Sequence, residues 1–416
     1  MHFIIDNFIL DKVTARYSHL TARYSHRGIL TAVLITATLD AAGLGLVMPI
    51  LPTLLDQVGA PDDMIPLHVG LLTALYAIMQ FLCAPILGRL SDRFGRRRVL
   101  VASLAGATID YLVLALTDTL WVFYLARAVA GITGATNAVT ATVIADITPP
   151  DQRAKRYGWL GACYGGGMIA GPAIGGLFGG VSPHLPFLVA AALAGITLVL
   201  SASLLRETRP PGSNGSHAQQ PGTAKRTAVP GMLILLAVFG IVQFIGQAPG
   251  STWVLFTQQR LDWNPVEVGV SLSIFGMVQV FVQAALTGRI VSRIGETRAI
   301  LVGIAADAIG LIGLALIAST WAMLPILAAL GLGSITLPAL QTLLSRRTPE
   351  QQQGRLQGTL ASLNSLTSII GPVTFTGIFA LTRTNADGTL WICAAALYVL
   401  CALLMIRETC ASRRSR

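Results

Sequence analysis

Charged residues are scarce in this 416-residue chain, where only 12% of the residues are Asp, Glu, Lys or Arg. A soluble domain is nearer a quarter charged, so this chain cannot cover a water-exposed surface of the usual kind. Hydrophobic residues make up 53% of the sequence, 42 residues are glycine, and the mean hydropathy is +0.68. Twelve membrane spans of about 20 residues each would use nearly all of this apolar material. We therefore expect an all-α integral membrane protein embedded in the lipid bilayer.

Cysteine and histidine are scarce as well. The five cysteines are an odd number without a CxxC pair, which excludes a disulfide framework and a zinc site of the usual spacing. None of the six histidines is predicted to lie inside an apolar run, which argues against a histidine proton relay. Because no nucleophile or metal constellation is found either, we expect no enzymatic activity, no cofactor and no intrinsic metal.

Twelve apolar runs have the length of a membrane span. They lie at residues 29–52, 67–88, 99–117, 119–142, 157–180, 186–205, 230–256, 266–288, 299–318, 321–344, 355–381 and 388–406. Residues 207–229 between the sixth and seventh runs are rich in Pro, Gly, Ser and Gln, which is typical of a flexible linker. The predicted organisation is a tail at 1–28, six-helix halves at 29–206 and 230–407 around the linker, and a tail at 408–416.

Basic residues mark one side of the predicted membrane. Almost all of the 29 lysines and arginines lie in the two tails or in every second connection, the exceptions being Arg127, Arg260 and Arg383. By the positive-inside rule both termini are cytoplasmic. The net charge of +10 therefore follows from topology and does not indicate a nucleic-acid partner.

The two halves are copies of one another. A single ungapped offset of 200 residues aligns Pro49 with Pro249, Gly95 with Gly295, Trp121 with Trp321, Gly131 with Gly331 and Gly171-Pro172 with Gly371-Pro372. Because six spans fall on six spans, both halves have the same orientation, which is the parallel repeat of a two-lobed secondary transporter.

The second connection reads GRLSDRFGRRR over residues 88–98 and resembles the signature of the major facilitator superfamily. Its glycines permit a tight turn and close helix approach. The resemblance implies a breakable charge cluster that controls the cytoplasmic gate, formed by Asp92 and Arg96 with Asp146 at the end of span 4. The gating residues implied by this resemblance are Gly88, Asp92, Arg93, Gly95, Arg96 and Asp146. The copy in the second half has Ser292 in place of the acid, so we expect a weaker gating role there.

Span 5 contains a glycine motif. Its conspicuous residues are Gly167, Gly171, Pro172, Gly175 and Gly176. Residues four apart share one helix face, so a neighbouring backbone can pack closely against this span. The motif resembles the one characteristic of drug/proton antiporters; generic small-residue helix packing is the alternative.

Three acids are predicted deep inside spans: Asp40, Asp110 and Asp307. Each lies roughly 14 to 20 Å along its helix from the nearest cytoplasmic arginine. An ionisable side chain at that depth is costly, so it indicates a functional group that faces a cavity and can carry a proton. Arg127 is the buried base that could pair with one of them, either within a transport mechanism or as a static ion pair that orders the bundle.

Longer stretches resemble the bacterial tetracycline efflux proteins. They lie at residues 39–52, 75–81, 126–136, 144–148, 182–187, 338–341, 357–358 and 365–372. The resemblance covers the chain from about residue 29, apart from the linker. It implies a major facilitator fold and a proton-coupled antiporter of the bacterial cytoplasmic membrane that exports tetracycline as its magnesium chelate. It also implies that Asp40, Asp110 and Asp307 transfer protons and the cationic substrate, with Arg127 and Asp146 supporting the gate.

Some members of that family carry a histidine, which can bind a proton, at the position of Gln279. Because glutamine cannot titrate, proton coupling here would depend on the aspartates. Several glutamines and asparagines could line the substrate cavity or form interhelical hydrogen bonds. They are Gln80, Asn137, Gln243, Gln247, Gln279, Gln283, Gln341 and Asn364. The alternatives that the sequence leaves open are a multidrug/proton antiporter with another substrate range and a channel or passive facilitator.

Overall fold

A computed structural model describes residues 28–134, 136–204, 207, 231–349, 352–382 and 388–414. The predicted N-terminal tail, apart from Gly28, and nearly all of the predicted linker lie outside these residues. Within the described ranges the chain is helical and contains no strand. Ten described helices are long and apolar enough to cross a membrane, and a shorter apolar helix lies at Leu120–Thr133.

We number the helices by predicted span. The first half contains α1 (Gly28–Val47), α2 (Ile65–Phe94), α3 (Arg96–Leu116), α4a (Leu120–Thr133), α4b (Thr136–Ile147), α5 (Pro150–Gly179) and α6 (Leu185–Leu204). The second half contains α7 (Met232–Leu261), α8 (Pro265–Phe281, continued by Val282–Leu286 and Thr287–Ile294), α9 (Glu296–Ala315), α10a (Met323–Gly333), α10b (Thr336–Arg346), α11 (Gln353–Thr382) and α12 (Thr389–Arg414). These helices occupy the places of the twelve predicted spans. The glycine-rich α5 is long enough to cross a bilayer but is not among the ten candidate spans.

Three predicted spans are interrupted. The first continues past α1 as a separate short helix, Leu51–Gln57, which begins next to Pro52, a residue suited to a first helical turn. The fourth and tenth predicted spans each divide into two helices at the same place in the repeat, between Thr133 and Thr136 and between Gly333 and Thr336. We call these two interruptions the α4 break and the α10 break. The repeat thus preserves an interruption that hydropathy alone does not reveal.

Single glycines make the sharp turns between α2 and α3 and between α8 and α9. Gly95 has φ 100° and Gly295 has φ 81°, a region that side chains with a Cβ rarely adopt. Each glycine is followed directly by the first residue of the next helix. The arginine clusters therefore lie at one end of the bundle, which we call the basic end.

The two halves meet along two helix pairs, α2 with α11 and α5 with α8. Contacts between the halves are close at the end opposite the basic end. There the amide of Gln258 donates a hydrogen bond to the Thr53 hydroxyl at 3.3 Å, and Gly70 of α2 contacts Thr376 of α11. Further apolar clusters fill each half separately.

One histidine differs from the sequence-based expectation. His68 lies in the first turn of α2, inside a candidate membrane span. Its Nδ1 is 2.7 Å from the hydroxyl of Tyr124 on α4a. This hydrogen bond lies near the end opposite the basic end, so His68 ties two helices of the first half together there.

Candidate functional site

Asp110 of α3 and Arg127 of α4a form a buried ion pair. Asp110 is only 3% exposed, and its carboxylate accepts a hydrogen bond from Nη2 of Arg127. The second carboxylate oxygen of Asp110 and Nε of Arg127 are buried and have no hydrogen-bond partner among the described residues. The base predicted to pair with an intramembrane acid therefore has Asp110 as its partner, and each side chain keeps one polar atom that could receive a ligand or water.

Asp40 of α1 contacts the α4 break. Its carboxylate is hydrogen-bonded to the hydroxyl of Thr136, the first residue of α4b. On the other side of the break, the amide of Gln80 donates to the carbonyl oxygen of Gly134 at 3.1 Å and to the Tyr76 hydroxyl at 3.1 Å. Polar side chains from α1 and α2 thus hold the two sides of the α4 break, Asp40 through the Thr136 hydroxyl and Gln80 through the Gly134 carbonyl oxygen.

Asp307 of α9 contacts the α10 break. Its carboxylate occupies the space beside Gly333, where any Cβ would collide with it. The hydroxyl of Tyr398 on α12 is hydrogen-bonded to the same carboxylate. Asp40 lies on the first helix of its half and Asp307 on the third, but each contacts the break in the fourth helix of its half. An acid that changes its charge at either position therefore acts directly on a helix break.

Two adjoining cavities lie between the halves. The larger, of about 360 Å³, is lined by Asp307 and Tyr398 together with Gln243, Gln279 and Phe275. The smaller, of about 240 Å³, is lined by Arg127 and by three tyrosines. These tyrosines are Tyr76, Tyr111 and Tyr164. Met48, Met168 and Trp253 line both cavities, so a ligand in one compartment would contact the wall of the other.

Several residues predicted to line the cavity have other positions. Gln80 holds the α4 break, and Gln247 packs against Gly371 of α11 with its amide 3.5 Å from the Ser368 hydroxyl. Gln283 lies on the exposed side of α8 and does not line the larger cavity. The Asn137 side chain lies outside the described part of the chain. Of the four selected substrate contacts whose side chains the structure describes, Gln279 is the one that lines the larger cavity.

The charge cluster predicted at the basic end is present in the first half. Arg96 contacts Asp92 at 2.7 Å and Asp146 at 3.3 Å. Glu207, which sequence reasoning missed, accepts a hydrogen bond from the Arg96 backbone N–H at 2.7 Å. Its carboxylate fills the space where a Cβ on Gly95 would lie.

The other two members of the predicted gating set lie apart from this cluster. Gly88 is within α2 and has open space around it, so it makes neither a tight turn nor a close helix approach in this conformation. The guanidinium of Arg93 lies over the Phe94 ring at 5.4 Å.

The glycines of α5 pack against two helices. Gly167, Gly171 and Gly175 face the backbone of α1, so that a Cβ on any of them would collide with it. Gly176 faces Pro265 and Gly269 of α8 in the other half, and the Pro172 carbonyl contacts Gly269. This motif therefore seats α5 between α1 of its own half and α8 of the second half.

Comparison with known proteins identifies the family. The sequence pattern of the Major Facilitator Superfamily matches residues 33–372 and again residues 235–414. Tetracycline resistance protein, class C, from Escherichia coli is 49% identical over 380 residues, which cover 89% of this chain and 95% of that protein. This chain belongs to the tetracycline resistance proteins of the major facilitator superfamily.

Two further comparisons agree with this membership. The class G tetracycline resistance protein from Vibrio anguillarum is 46% identical over 386 residues, which cover 90% of this chain and 96% of that protein. The crystal structure of the human organic anion transporter MFSD10 has a TM-score of 0.65 at 22% identity and covers 91% of this chain and 99% of that one. At that identity the likeness shows the fold alone. The superfamily consists of transporters, so the expectation that the chain is not an enzyme is confirmed.

The close packing of the α5 glycines against α1 predicts a steric effect of substitutions on the stability of this transporter. In Gly175→Ala the new methyl group would overlap the Leu46 carbonyl of α1, and we expect a loss of about 1 to 3 kcal/mol from overpacking. The measurement is the fraction of purified protein that stays monodisperse in detergent after heating. Gly166→Ala on the same helix is the matched control, because Gly166 has open space around its Cβ position. Equal heat stability of the two variants would contradict the steric explanation.

Proposed function

We propose that this transporter exports tetracycline from the cytoplasm by exchanging it for an incoming proton. The single observation that carries the proposal is the position of Asp307. This carboxylate lines the larger cavity and also contacts the α10 break. A carboxylate in that position can hold either a proton or a cationic ligand, and its occupant would lie directly beside the α10 break.

The cavity chemistry suits a tetracycline bound as a monocationic chelate with a divalent metal ion such as Mg²⁺. Asp307 supplies a negative charge, and the amides of Gln243 and Gln279 supply hydrogen bonds to a ligand rich in hydroxyl and amide groups. The rings of Trp253 and Phe275 supply apolar faces. A volume of about 360 Å³ with an adjoining 240 Å³ lies in the usual range for small-molecule sites. The metal ion is cargo in this proposal, and no cluster of acidic, histidine or cysteine residues in the described ranges could hold a metal ion.

The Asp110–Arg127 pair gives the second compartment a different role. Because the Asp110 carboxylate is already paired with the Arg127 guanidinium, the pair adds no net charge to the smaller cavity. The one unpartnered polar atom on each side chain lets the pair exchange partners when a proton or substrate arrives. Proton coupling in this chain then rests on the three acids Asp40, Asp110 and Asp307, since Gln279 cannot titrate.

The basic end is assigned to the cytoplasm of a bacterium, with the protein in the cytoplasmic membrane and both termini inside. The positive-inside rule supports this orientation. The contacts between Thr53 and Gln258 and between Gly70 and Thr376 join the halves at the opposite end, as expected of an inward-facing state. Alternating access follows when the basic end closes and these contacts separate.

Inverted membrane vesicles test the proposal directly. With Mg²⁺ present, an acid-inside pH gradient should drive accumulation of labelled tetracycline, and a protonophore should abolish it. Removing the divalent ions with EDTA should reduce uptake at an unchanged gradient. Accumulation that survives the protonophore would rule out proton exchange. Equal competition by an unrelated lipophilic cation would instead indicate a multidrug antiporter.

A further inference from the structure

The second half contains a charge pair at the same repeat positions as the gating pair of the first half. In the first half, Arg96 begins α3 and pairs with Asp146 near the end of α4b. At positions 200 residues later, Glu296 begins α9 and pairs with Arg346 at the end of α10b. The acid and the base have exchanged places between the halves. Both pairs join the start of the third helix of a half to the end of its fourth helix, at the basic end.

Helix dipoles explain why the charge pair of the second half needs fewer supporting residues than the pair of the first half. A negative charge is favourable near a helix N-terminus and a positive charge near a C-terminus. Glu296 at the start of α9 and Arg346 at the end of α10b both satisfy this preference. Arg96 at the start of α3 opposes it.

Two additional acids surround the unfavourably placed Arg96. Asp92 contacts the guanidinium at 2.7 Å, and Glu207 accepts the backbone N–H at 2.7 Å. The first half therefore needs acids that the second half does without, and this accounts for Ser292. Asp92 and Arg96 are in contact across the equivalent turn of the first half, so an aspartate at position 292 would lie close to the Glu296 carboxylate and repel it.

Glu296 and Arg346 also belong to the structural unit that holds Asp307. Both Glu296 and Asp307 lie on α9, and α10b is joined to α9 at each of its ends. At the basic end the joint is the Glu296–Arg346 ion pair, and at the other end Thr336, the first residue of α10b, contacts Gly303 of α9. Across the α10 break, Asp307 contacts Gly333, the last residue of α10a. The ion pair at the basic end thus sets the position of the segment that adjoins Asp307.

We propose that Glu296 and Arg346 are the gating pair of the second half, positioning α10b on α9 with the charges of the first half exchanged. The inference rests on the proposed function, since the gate is that of the tetracycline exporter. It replaces the sequence-based expectation that Ser292 weakens the second half's gate. The loss of the acid at 292 is compensated by the acid at 296.

A charge exchange tests the pair in the vesicle assay. Glu296→Arg and Arg346→Glu each place like charges face to face, and we expect each to lower the maximal rate of tetracycline uptake about fivefold with little change in KM. The double variant restores the polarity of the first half and should recover most of the rate. If either single reversal fails to reach the membrane, the neutral variants Glu296→Gln and Arg346→Gln replace the reversals. Single variants with wild-type rates, or a double variant as slow as the singles, would overturn the proposal.

Ser292→Asp supplies a matched control with opposite expected effects in two backgrounds. It should slow the wild-type transporter, because the new carboxylate faces that of Glu296. It should speed the double variant, because the carboxylate then faces the guanidinium introduced at position 296, as Asp92 faces that of Arg96. The same effect in both backgrounds would contradict the inference.

Heat stability of the purified variants is measured in parallel, so that the pairing can be tested apart from transport. If wild-type vesicles take up no tetracycline, the proposed function fails. Additive effects of the two reversals on heat stability would then overturn the pairing independently.

Discussion

Vesicles containing Asp307→Asn are expected to accumulate no more tetracycline than vesicles without the transporter. Asparagine has nearly the shape of aspartate, so it fits beside Gly333 and still accepts the Tyr398 hydrogen bond seen in the structure. It can neither carry a proton nor neutralise a cationic chelate. The loss would therefore come from removing a charge and a proton site at the α10 break, with the packing preserved. The measurement is pH-driven uptake at equal amounts of protein in the membrane.

Two further variants separate this explanation from general damage. Asp63→Asn makes the same chemical change at an exposed acid and should leave uptake unchanged. Asp307→Glu keeps the charge but adds a methylene group in the space bounded by Gly333, so uptake should be partly retained. If Asp307→Asn transports at the wild-type rate, this acid is not required for coupling, and the proposed role of the α10 break is wrong.

The depth of the acids and the pairing of Arg127 could be predicted from sequence, because an ionisable residue within a long apolar run has few possible surroundings. The repeat could be located equally well, because a single ungapped offset of 200 residues aligns the two halves. The α4 and α10 breaks were not predicted, since the runs at 119–142 and 321–344 stay apolar across them. A retrospective signal exists in the repeat, where Gly134 and Ser334 occupy corresponding positions with helix-interrupting residues around them.

Amide side chains were the least predictable part of the site. Hydropathy places Gln80, Gln247 and Gln279 inside helices but does not say which neighbours they meet. Gln80 satisfies backbone at the α4 break, Gln247 packs on Gly371, and Gln279 faces the cavity. Tyr398 was missed for a related reason: a tyrosine in an apolar span is ordinary until its hydroxyl is seen beside a carboxylate. The transport roles of all these residues stay predictions.

Opposite charges at repeat positions also escaped sequence reasoning. Comparing the two copies residue by residue favours identical matches, so Ser292 was noticed as a missing acid. An ion pair whose members have exchanged signs gives two mismatches, at positions 96 and 296 and at positions 146 and 346. The structure brings Glu296 and Arg346 together. The second half therefore keeps the ion pair, although both residue types differ from those of the first half.

Removing Arg127 alone is expected to destabilise the transporter strongly. In Arg127→Gln the Asp110 carboxylate, only 3% exposed, would lose its ionic partner, at a cost of about 3 to 5 kcal/mol. Asp110→Asn should destabilise for the same reason, because Arg127 would be left without a countercharge. The double variant Asp110→Asn/Arg127→Gln removes both charges and should recover much of the stability, since two amides can hydrogen-bond to each other. Heat stability in detergent measures all three effects.

Transport by the double variant decides between a static and a functional pair. If the pair only orders the bundle, a double variant with recovered stability should also regain uptake. We expect it to stay inactive, because the smaller cavity would lose the guanidinium that lines it beside Tyr76 and Tyr164, and neither amide can change charge when a proton or substrate arrives. Uptake at the wild-type rate would show that Asp110 and Arg127 stabilise the first half without taking part in proton exchange. The coupling would then depend on Asp40 and Asp307, the two acids that contact the helix breaks.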